Sequence, residues 1–187
     1  MYHFIPTITT IKEVLTSPNI ALKLLDLVGF YGPFVIAMST ISGLWYQTIY
    51  LRGYLVLFVL NSIVNKVLKQ LTRDPRPPGG KSIVDEQYDG ADKYGMPSGH
   101  AQSVWMSSVF LYLVNGSFGT ALFHFFLIIL TLYQRWKYKR HTTEQLLVGS
   151  FVGGVLAVLC YHILTKFITG TIDNGTYDTE IRNIMSL

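Results

Sequence analysis

The sequence predicts an all-α protein, a polytopic membrane helix bundle of about five transmembrane helices with an N-terminal interfacial helix. Only 14% of the residues are charged, against about 25% in a typical soluble domain. Half of the residues are hydrophobic, and the mean hydropathy is +0.34. A core built from 187 residues cannot bury so many apolar side chains, so we expect lipid to surround much of the surface. The composition also excludes a disordered chain and a disulfide-rich scaffold.

Four stretches without Asp, Glu, Lys or Arg give the predicted membrane spans, residues 27–46, 53–65, 94–134 and 145–165. A spanning helix needs about 20 residues, so the third stretch is long enough for two helices. The segment from Asn115 to Gly119 has the composition of a turn between them. The second stretch reaches spanning length if its helix continues through Lys66 and Lys69, whose side chains can extend to water or to the protein interior. We therefore expect five spans.

The chain is expected to form one domain over residues 1–187. Within it we expect an interfacial segment at 1–25, a transmembrane core at 26–166 and a polar tail at 167–187. The first segment mixes leucines with Lys12, Glu13 and Lys23, as interfacial helices do. It lacks a basic region followed by an unbroken apolar run, so we expect no cleavable signal peptide.

Five spans alternate between the two membrane faces, so the connections at residues 73–96 and 136–140 are predicted to lie on one face. Most of the fifteen Lys and Arg residues fall on or beside these connections: Lys66, Lys69, Arg73, Arg76, Lys81, Lys93, Arg135, Lys137, Lys139 and Arg140. This concentration is typical of an anion-binding site. It is equally typical of the cytosolic face of a membrane protein, and charge alone leaves both interpretations open.

The first candidate motif runs from Lys69 to Pro77 and reads KQLTRDPRP. Its Asp-Pro pair is expected to end the second helix. The guanidinium of Arg76, between two prolines, can then hold two oxygens of a phosphate. Asn61, Asn65 and Lys69 recur every four residues and form a polar stripe that should face the bundle interior. A basic membrane anchor is the alternative interpretation.

The second candidate motif is Pro97-Ser98-Gly99-His100, directly before the third span. Ser98 suits a helix cap, and Gly99 has no side chain to keep a ligand from the backbone. The exposed N–H groups of such a helix start can bind an anion. His100 could then exchange a proton with it. The alternative is a capped helix with an incidental histidine.

The third candidate motif runs from Arg135 to Gln145. On one straight helix Arg135 and His141 would point in different directions, so we expect a turn between the fourth and fifth spans. Thr142 and Gln145 have the spacing of a capping box, which places His141 at the start of the fifth helix. The alternative interpretation is a basic girdle at the membrane surface, with Gln145 as a cap alone.

Together and in this order, the three motifs resemble the signature of the type 2 phosphatidic acid phosphatase superfamily. Within it, the chain is most similar to the dolichyl-diphosphatase (polyprenyl diphosphate phosphatase) branch, on the segments 76–80 (RPPGG), 93–96 (KYGM) and 141–145 (HTTEQ). Two positions depart from the superfamily pattern. Gln134 replaces a usual serine, and Gln145 replaces the aspartate of many members, although the dolichyl-diphosphatase branch also carries glutamine there.

The resemblance implies an integral-membrane lipid phosphatase that converts dolichyl or polyprenyl diphosphate to the monophosphate without a metal or other cofactor. It implies a phosphohistidine on His141, with His100 as acid and base and Gln145 orienting His141. It implies that phosphate is bound by Lys69, Arg76, Ser98, Gly99 and Arg135. Phosphatidate or another lipid or sugar monophosphate is the alternative substrate. A catalytically inactive lipid-binding or flipping protein is the alternative from another class.

The remaining expectations concern partners and location. We expect the lipid diphosphate and membrane lipids as partners and no nucleic acid. Gly149 and Gly153 are typical of close helix packing, within the chain or in a homodimer. The resemblance implies an endoplasmic reticulum protein with a luminal site, as in the N-glycosylation pathway, whereas the basic loops favour the cytosol. Asn115 and Asn174 begin glycosylation sequons on the opposite face.

Overall fold

The structure is a computed structural model that describes residues 19–81 and 90–173, with backbone alone for 170–173. It contains five long helices: α1 (Ile20–Gly43), α2 (Thr48–Thr72), α3 (Gly99–Asn115), α4 (Phe118–Lys137) and α5 (Thr143–Asp173). A short 3-10 turn, Gly90–Lys93, precedes α3. The two described ranges hold no strand, apart from one isolated bridge between Pro75 and Tyr94. The predicted all-α bundle is confirmed.

Four of these helices are long and apolar enough to cross a membrane: α1, α2, α4 and residues 143–169 of α5. Helix α3 has 17 residues and is about 25 Å long. It still runs from one end of the bundle to the other, because Asn115 at its end donates to the carbonyl of Gly43, 3.0 Å away at the end of α1. The predicted third span is thus a short central helix.

Helix α3 is central because two apolar clusters form around it. Ile36 and Leu127 pack with Val104 of α3 between α1 and α4. Tyr54 and Ala157 pack with Met106 and Phe110 of α3 between α2 and α5. Large apolar side chains on the outer helices remain exposed, as expected of a surface in contact with lipid: Phe34, Val56, Phe123 and Phe151.

The predicted polar stripe on α2 faces inward and bonds to α3. Asn65 donates to the side chain of Gln102 at 2.8 Å and to the carbonyl of Pro97 at 3.2 Å. Gln102 in turn donates to the side-chain oxygen of Asn61 at 2.9 Å. These buried amides satisfy one another, and they fix the loop before α3 relative to the end of α2.

Helices α3 and α5 approach closely at two glycines of α5. A side-chain carbon on Gly149 would collide with the carbonyl of Ser98, and one on Gly153 with the carbonyl of Gln102. Helix α3 of the same chain therefore covers both glycines, and a homodimer through this helix stays a prediction. Packing within the chain, the other expectation from this motif, is the one observed.

The helix boundaries differ from the predicted segments at both ends. Helix α1 begins at Ile20, inside the predicted interfacial segment. The predicted span started after Asp26 because a carboxylate is unfavourable in a membrane helix. In the structure Asp26 is buried within α1 and pairs with Lys137 at 2.6 Å, so the helix continues through it. Helix α5 continues to Asp173, inside the predicted polar tail. The rest of both segments, and the sequon at Asn174, lie outside the described residues.

We predict that Gly153→Ala lowers the free energy of unfolding by about 1–3 kcal/mol, because the added methyl group cannot fit against α3. The matched control is Gly154→Ala, since a side-chain carbon there meets no atom within 4 Å. Thermal unfolding of both variants in one detergent measures the difference. Equal melting temperatures would contradict this account of the α3–α5 contact.

Candidate active site

The three motifs meet at one end of the bundle, where α2 and α4 end and α3 and α5 begin. The Pro75–Tyr94 bridge and the bond from the N–H of Gly95 to the carbonyl of Asp74, 2.8 Å long, join the segment after α2 to the segment before α3. Arg73, in the left-handed region with φ of 49°, turns the chain out of α2. The alternation of spans therefore predicted the meeting of the motifs correctly.

Lys69 and Arg76, the cations of the first motif, both contact Asp92 in the 3-10 turn. The ammonium of Lys69 lies 2.8 Å from Oδ1 of Asp92. The guanidinium of Arg76 donates from Nε and Nη2 to the carbonyl of Asp92, at 3.1 and 2.8 Å. Its Nη1 donates to the carbonyl of Arg140 at 2.9 Å. Arg76 thus links the first motif to the 3-10 turn before α3 and to the third motif.

His141 is held in one tautomer. Its Nδ1 lies 2.9 Å from the carbonyl of Gly95 and 3.2 Å from Oε1 of Gln145, and both partners can only accept. Nδ1 therefore carries the proton, and Nε2 keeps its lone pair. Nε2 lies 3.1 Å from Nη1 of Arg76, so the lone pair faces the cations.

His141 is also held neutral. It is only 3% exposed, and burial lowers the pKa of His141 well below its usual value of 6.5. The positive charges of Arg76 and Arg135 lower this pKa further. A neutral ring with an unprotonated Nε2 is a nucleophile, and at neutral pH it needs no separate base to activate it.

His100 contacts Arg135, the cation of the third motif. Nη2 of Arg135 lies 3.0 Å from Nδ1 of His100. A guanidinium only donates, so Nδ1 accepts, and the neutral ring of His100 carries its proton on Nε2. The guanidinium of Arg135 also lies 5.3 Å from the ring centre of Phe30 on α1, a cation–π contact that orients it.

Ser98 and Gly99 form the start of α3. Ser98 is fully buried and caps the helix, accepting from the N–H of Ala101 at 3.4 Å. Its own N–H donates to the carbonyl of Gln145 at 3.0 Å. A side-chain carbon on Gly99 would lie 3.3 Å from Oδ1 of Asn65, which is tight but not a collision. Phosphate binding by these two residues stays a prediction.

Gln145 connects the third motif to the first. Its Oε1 accepts from the N–H of Thr142 at 3.1 Å, and its N–H donates to Oγ1 of Thr142 at 3.3 Å, which confirms the predicted capping box. Its Nε2 donates to Oδ2 of Asp74 at 2.5 Å and to the carbonyl of Pro75 at 2.8 Å. Gln145 is fully buried, and a side-chain carbon on Gly95 would collide with its amide.

Two aspartates at this end of the bundle were not predicted from the sequence. Asp92 binds Lys69, and Asp26 accepts from Lys137 at 2.6 Å and from the hydroxyl of Tyr138 at 2.9 Å. The signal for Asp26 was a lone carboxylate within an apolar region, which requires a cationic partner.

Gln134, at the position of the usual serine, is buried, and its Cβ lies where α4 approaches Gly29 of α1.

The comparisons with known proteins agree on one family of phosphatases. The sequence pattern of the PAP2 superfamily matches residues 50–169. Dolichyldiphosphatase 1 of Homo sapiens is 32% identical over 126 residues, which cover 59% of this chain and 51% of the human protein. Lipid phosphate phosphatase epsilon 2, chloroplastic, of Arabidopsis thaliana is 37% identical over 111 residues, which cover 55% of this chain and 36% of that protein. The chain spans about half the length of the dolichyldiphosphatases it matches.

A solved structure shares the fold. It is the crystal structure of a transmembrane PAP2 type phosphatidylglycerolphosphate phosphatase from Bacillus subtilis, with a TM-score of 0.57. The match covers 86% of this chain and 83% of the bacterial chain, at 17% sequence identity. At that identity the likeness supports the arrangement of helices and nothing finer.

We predict that Gln145→Glu destabilises the protein by about 2 kcal/mol or more, although a carboxylate would keep the bond to His141. The new oxygen would face the carboxylate of Asp74 and the carbonyl of Pro75, leaving buried acceptors unpaired. Asp74→Asn in the same chain supplies a donor and should restore most of the loss. Thermal unfolding tests this pair, and a single variant as stable as the wild type would refute the assignment of the amide.

Proposed function

The chain belongs to the PAP2 superfamily, and we propose that it is an integral-membrane phosphatase that hydrolyses the terminal phosphate of dolichyl or another polyprenyl diphosphate. The observation that carries this proposal is the unprotonated Nε2 of His141, which faces the guanidinium of Arg76. A neutral nucleophile beside a group of cations suits attack on the phosphorus of an anionic substrate.

In the first step, Nε2 of His141 attacks the terminal phosphorus in line. A P–N bond forms as the bond from phosphorus to the bridging oxygen breaks, and the electron pair leaves with the lipid monophosphate. When the phosphate draws Arg135 away from Nδ1 of His100, that ring can take up a proton and pass it to the departing oxygen.

In the second step, water hydrolyses the phosphohistidine. His100, neutral again, accepts a proton from the water as its oxygen attacks phosphorus. The P–N bond breaks, its electron pair returns to Nε2 of His141, and inorganic phosphate is released. His100 then returns its proton to water, which restores the site. Atoms and charge balance without a metal ion or any other cofactor.

The cations stabilise the charge on the phosphate oxygens during both steps. Lys69, Arg76 and Arg135 are all at least nine-tenths buried or tied to buried carbonyls, so they are oriented before the substrate arrives. We assign Ser98 and the N–H of Gly99 at the start of α3 to the same oxygens. Loss of one such donor typically costs 100-fold or more in rate.

Gln145 acts as a positioning residue. With Gly95, it keeps the proton of His141 on Nδ1, so that Nε2 is always the free nitrogen. Because the amide is uncharged, it fixes the tautomer without adding the stabilisation of the imidazolium that a carboxylate would give.

The substrate class follows from the position of the site and from the relatives. The site lies at one end of an apolar bundle, where the headgroup of a membrane lipid would lie and its chain could stay in the membrane. Relatives named dolichyldiphosphatase support a polyprenyl diphosphate. The relative named lipid phosphate phosphatase supports the alternative, phosphatidate or another lipid monophosphate.

We place the protein in the endoplasmic reticulum with the site facing the lumen, where a dolichyl diphosphatase would act in the N-glycosylation pathway. Lys69, Arg76 and Arg135 have partners within the site, so these cations are weak indicators of the cytosolic face. Asn115 lies at the end of the bundle opposite the site. Its glycosylation in microsomes would overturn the luminal assignment.

We predict that His141→Ala abolishes turnover and the phosphorylated protein, since no other residue supplies the attacking nitrogen. A stopped reaction on radiolabelled polyprenyl diphosphate, followed by alkaline denaturation that preserves phosphohistidine, measures both. Excess chelator should leave the wild-type rate unchanged. A wild-type chain that binds substrate but never becomes phosphorylated would instead be a lipid-binding or flipping protein.

We predict that the wild-type protein hydrolyses polyprenyl diphosphate with a higher kcat/KM than phosphatidate, and that glucose 6-phosphate is the poorest of the three. The reason is that the lipid chain places the headgroup at the site and the diphosphate provides a good leaving group. Phosphate release in mixed micelles measures all three rates. Equal values would remove the support for the diphosphate and leave a general phosphatase.

A further inference from the structure

The cation site of the first motif already holds an anion. The carboxylate of Asp92 lies 2.8 Å from the ammonium of Lys69, as close as a phosphate oxygen would lie. Asp92 is not part of the three motifs; it stands in the 3-10 turn Gly90–Lys93 that precedes α3. A carboxylate and a phosphate cannot share one ammonium closely, because two anions in a buried site repel each other.

The two members of this pair differ in their freedom to move. The side chain of Lys69 is 4% exposed and that of Asp92 is 22% exposed. A rotation about the side-chain bonds of Asp92 can therefore carry its carboxylate toward water, whereas the side chain of Lys69 is enclosed by the protein. When an anion enters, Asp92 is the partner that leaves.

The backbone of Asp92 stays fixed during such a rotation. Nε and Nη2 of Arg76 both donate to its carbonyl, and Tyr94, two residues later, is tied to Pro75 by the isolated bridge. Only the side chain needs to move, so the exchange requires no rearrangement of the bundle, and the carboxylate remains next to the site for its return.

From these contacts we propose that Asp92 is an internal competitor of phosphate, which occupies Lys69 in the empty site and is displaced by the phosphate group of the substrate. This inference rests on the proposed phosphate site. It gives the chain a residue that lowers affinity for every phosphate alike, and that returns to Lys69 when inorganic phosphate leaves. Asp92 therefore promotes product release and limits product inhibition.

The test is the affinity of the purified full chain for inorganic phosphate and for vanadate, measured by isothermal titration calorimetry in detergent. Asp92→Asn removes the charge and keeps the backbone carbonyl that binds Arg76. We expect both anions to bind about tenfold more tightly, and inorganic phosphate to inhibit turnover at correspondingly lower concentrations. Asp92→Glu keeps the charge and should bind no more tightly than the wild type.

The matched control is Asp26→Asn, which removes a buried carboxylate from a second lysine pair at this end of the bundle, Asp26 with the more exposed Lys137. It should leave the affinity for both anions unchanged. Thermal unfolding adds a second measurement: without ligand, Asp92→Asn should melt below the wild type because Lys69 loses its partner. Added phosphate should then raise its melting temperature by more than that of the wild type.

Equal or weaker anion binding by Asp92→Asn would overturn the proposal and would make Asp92 a positioning residue for Lys69. The same holds if Asp26→Asn tightens binding as much as Asp92→Asn, since the effect would then be general. These binding measurements need no turnover. Tight binding without hydrolysis of any lipid phosphate would count against the proposed function and leave the competition by Asp92 standing.

Discussion

Burial of positive charge at one end of an apolar bundle is the constraint on which this structure depends. Lys69 and Arg135 are buried and Arg76 is partly buried, and each needs partners that compensate for the loss of hydration. Their partners include a carboxylate for Lys69, backbone carbonyls for Arg76, and a histidine and an aromatic ring for Arg135. This concentration of positive charge favours a phosphate. Burial, and then the same positive charges, lower the pKa of the neighbouring His141.

The neutral state of His141 explains why an amide can serve where a carboxylate is common. Oε1 of Gln145 fixes the tautomer, and its Nε2 holds the Asp74-Pro75 segment. A carboxylate could accept from His141 but could not donate to Asp74. Gln145 therefore orients the ring of His141, and it also attaches the first motif to the third. These donated bonds are a structural reason for a glutamine at this position in this chain.

The sequence predicted the helices, the convergence of the motifs and the capping box, because each follows from local chemistry or from the alternation of spans. It could not show that the short helix α3 is central, since α3 carries polar residues whose partners lie on other helices. It also missed Asp92 and Asp26, because their partners, Lys69 and Lys137, are far away in the chain. For the same reason, the glycine pattern of α5 predicted close packing but could not identify α3 as the helix packed there.

The central claim is that one phosphate group can lie between the two histidines and among the three cations. An experimental structure of the protein with vanadate bound tests it most directly. We expect vanadium at bonding distance from Nε2 of His141, its oxygens on Lys69, Arg76 and Arg135, and His100 on the side opposite His141. Vanadate bound elsewhere, or attached to His141 while Lys69 stays on the carboxylate of Asp92, would contradict the account.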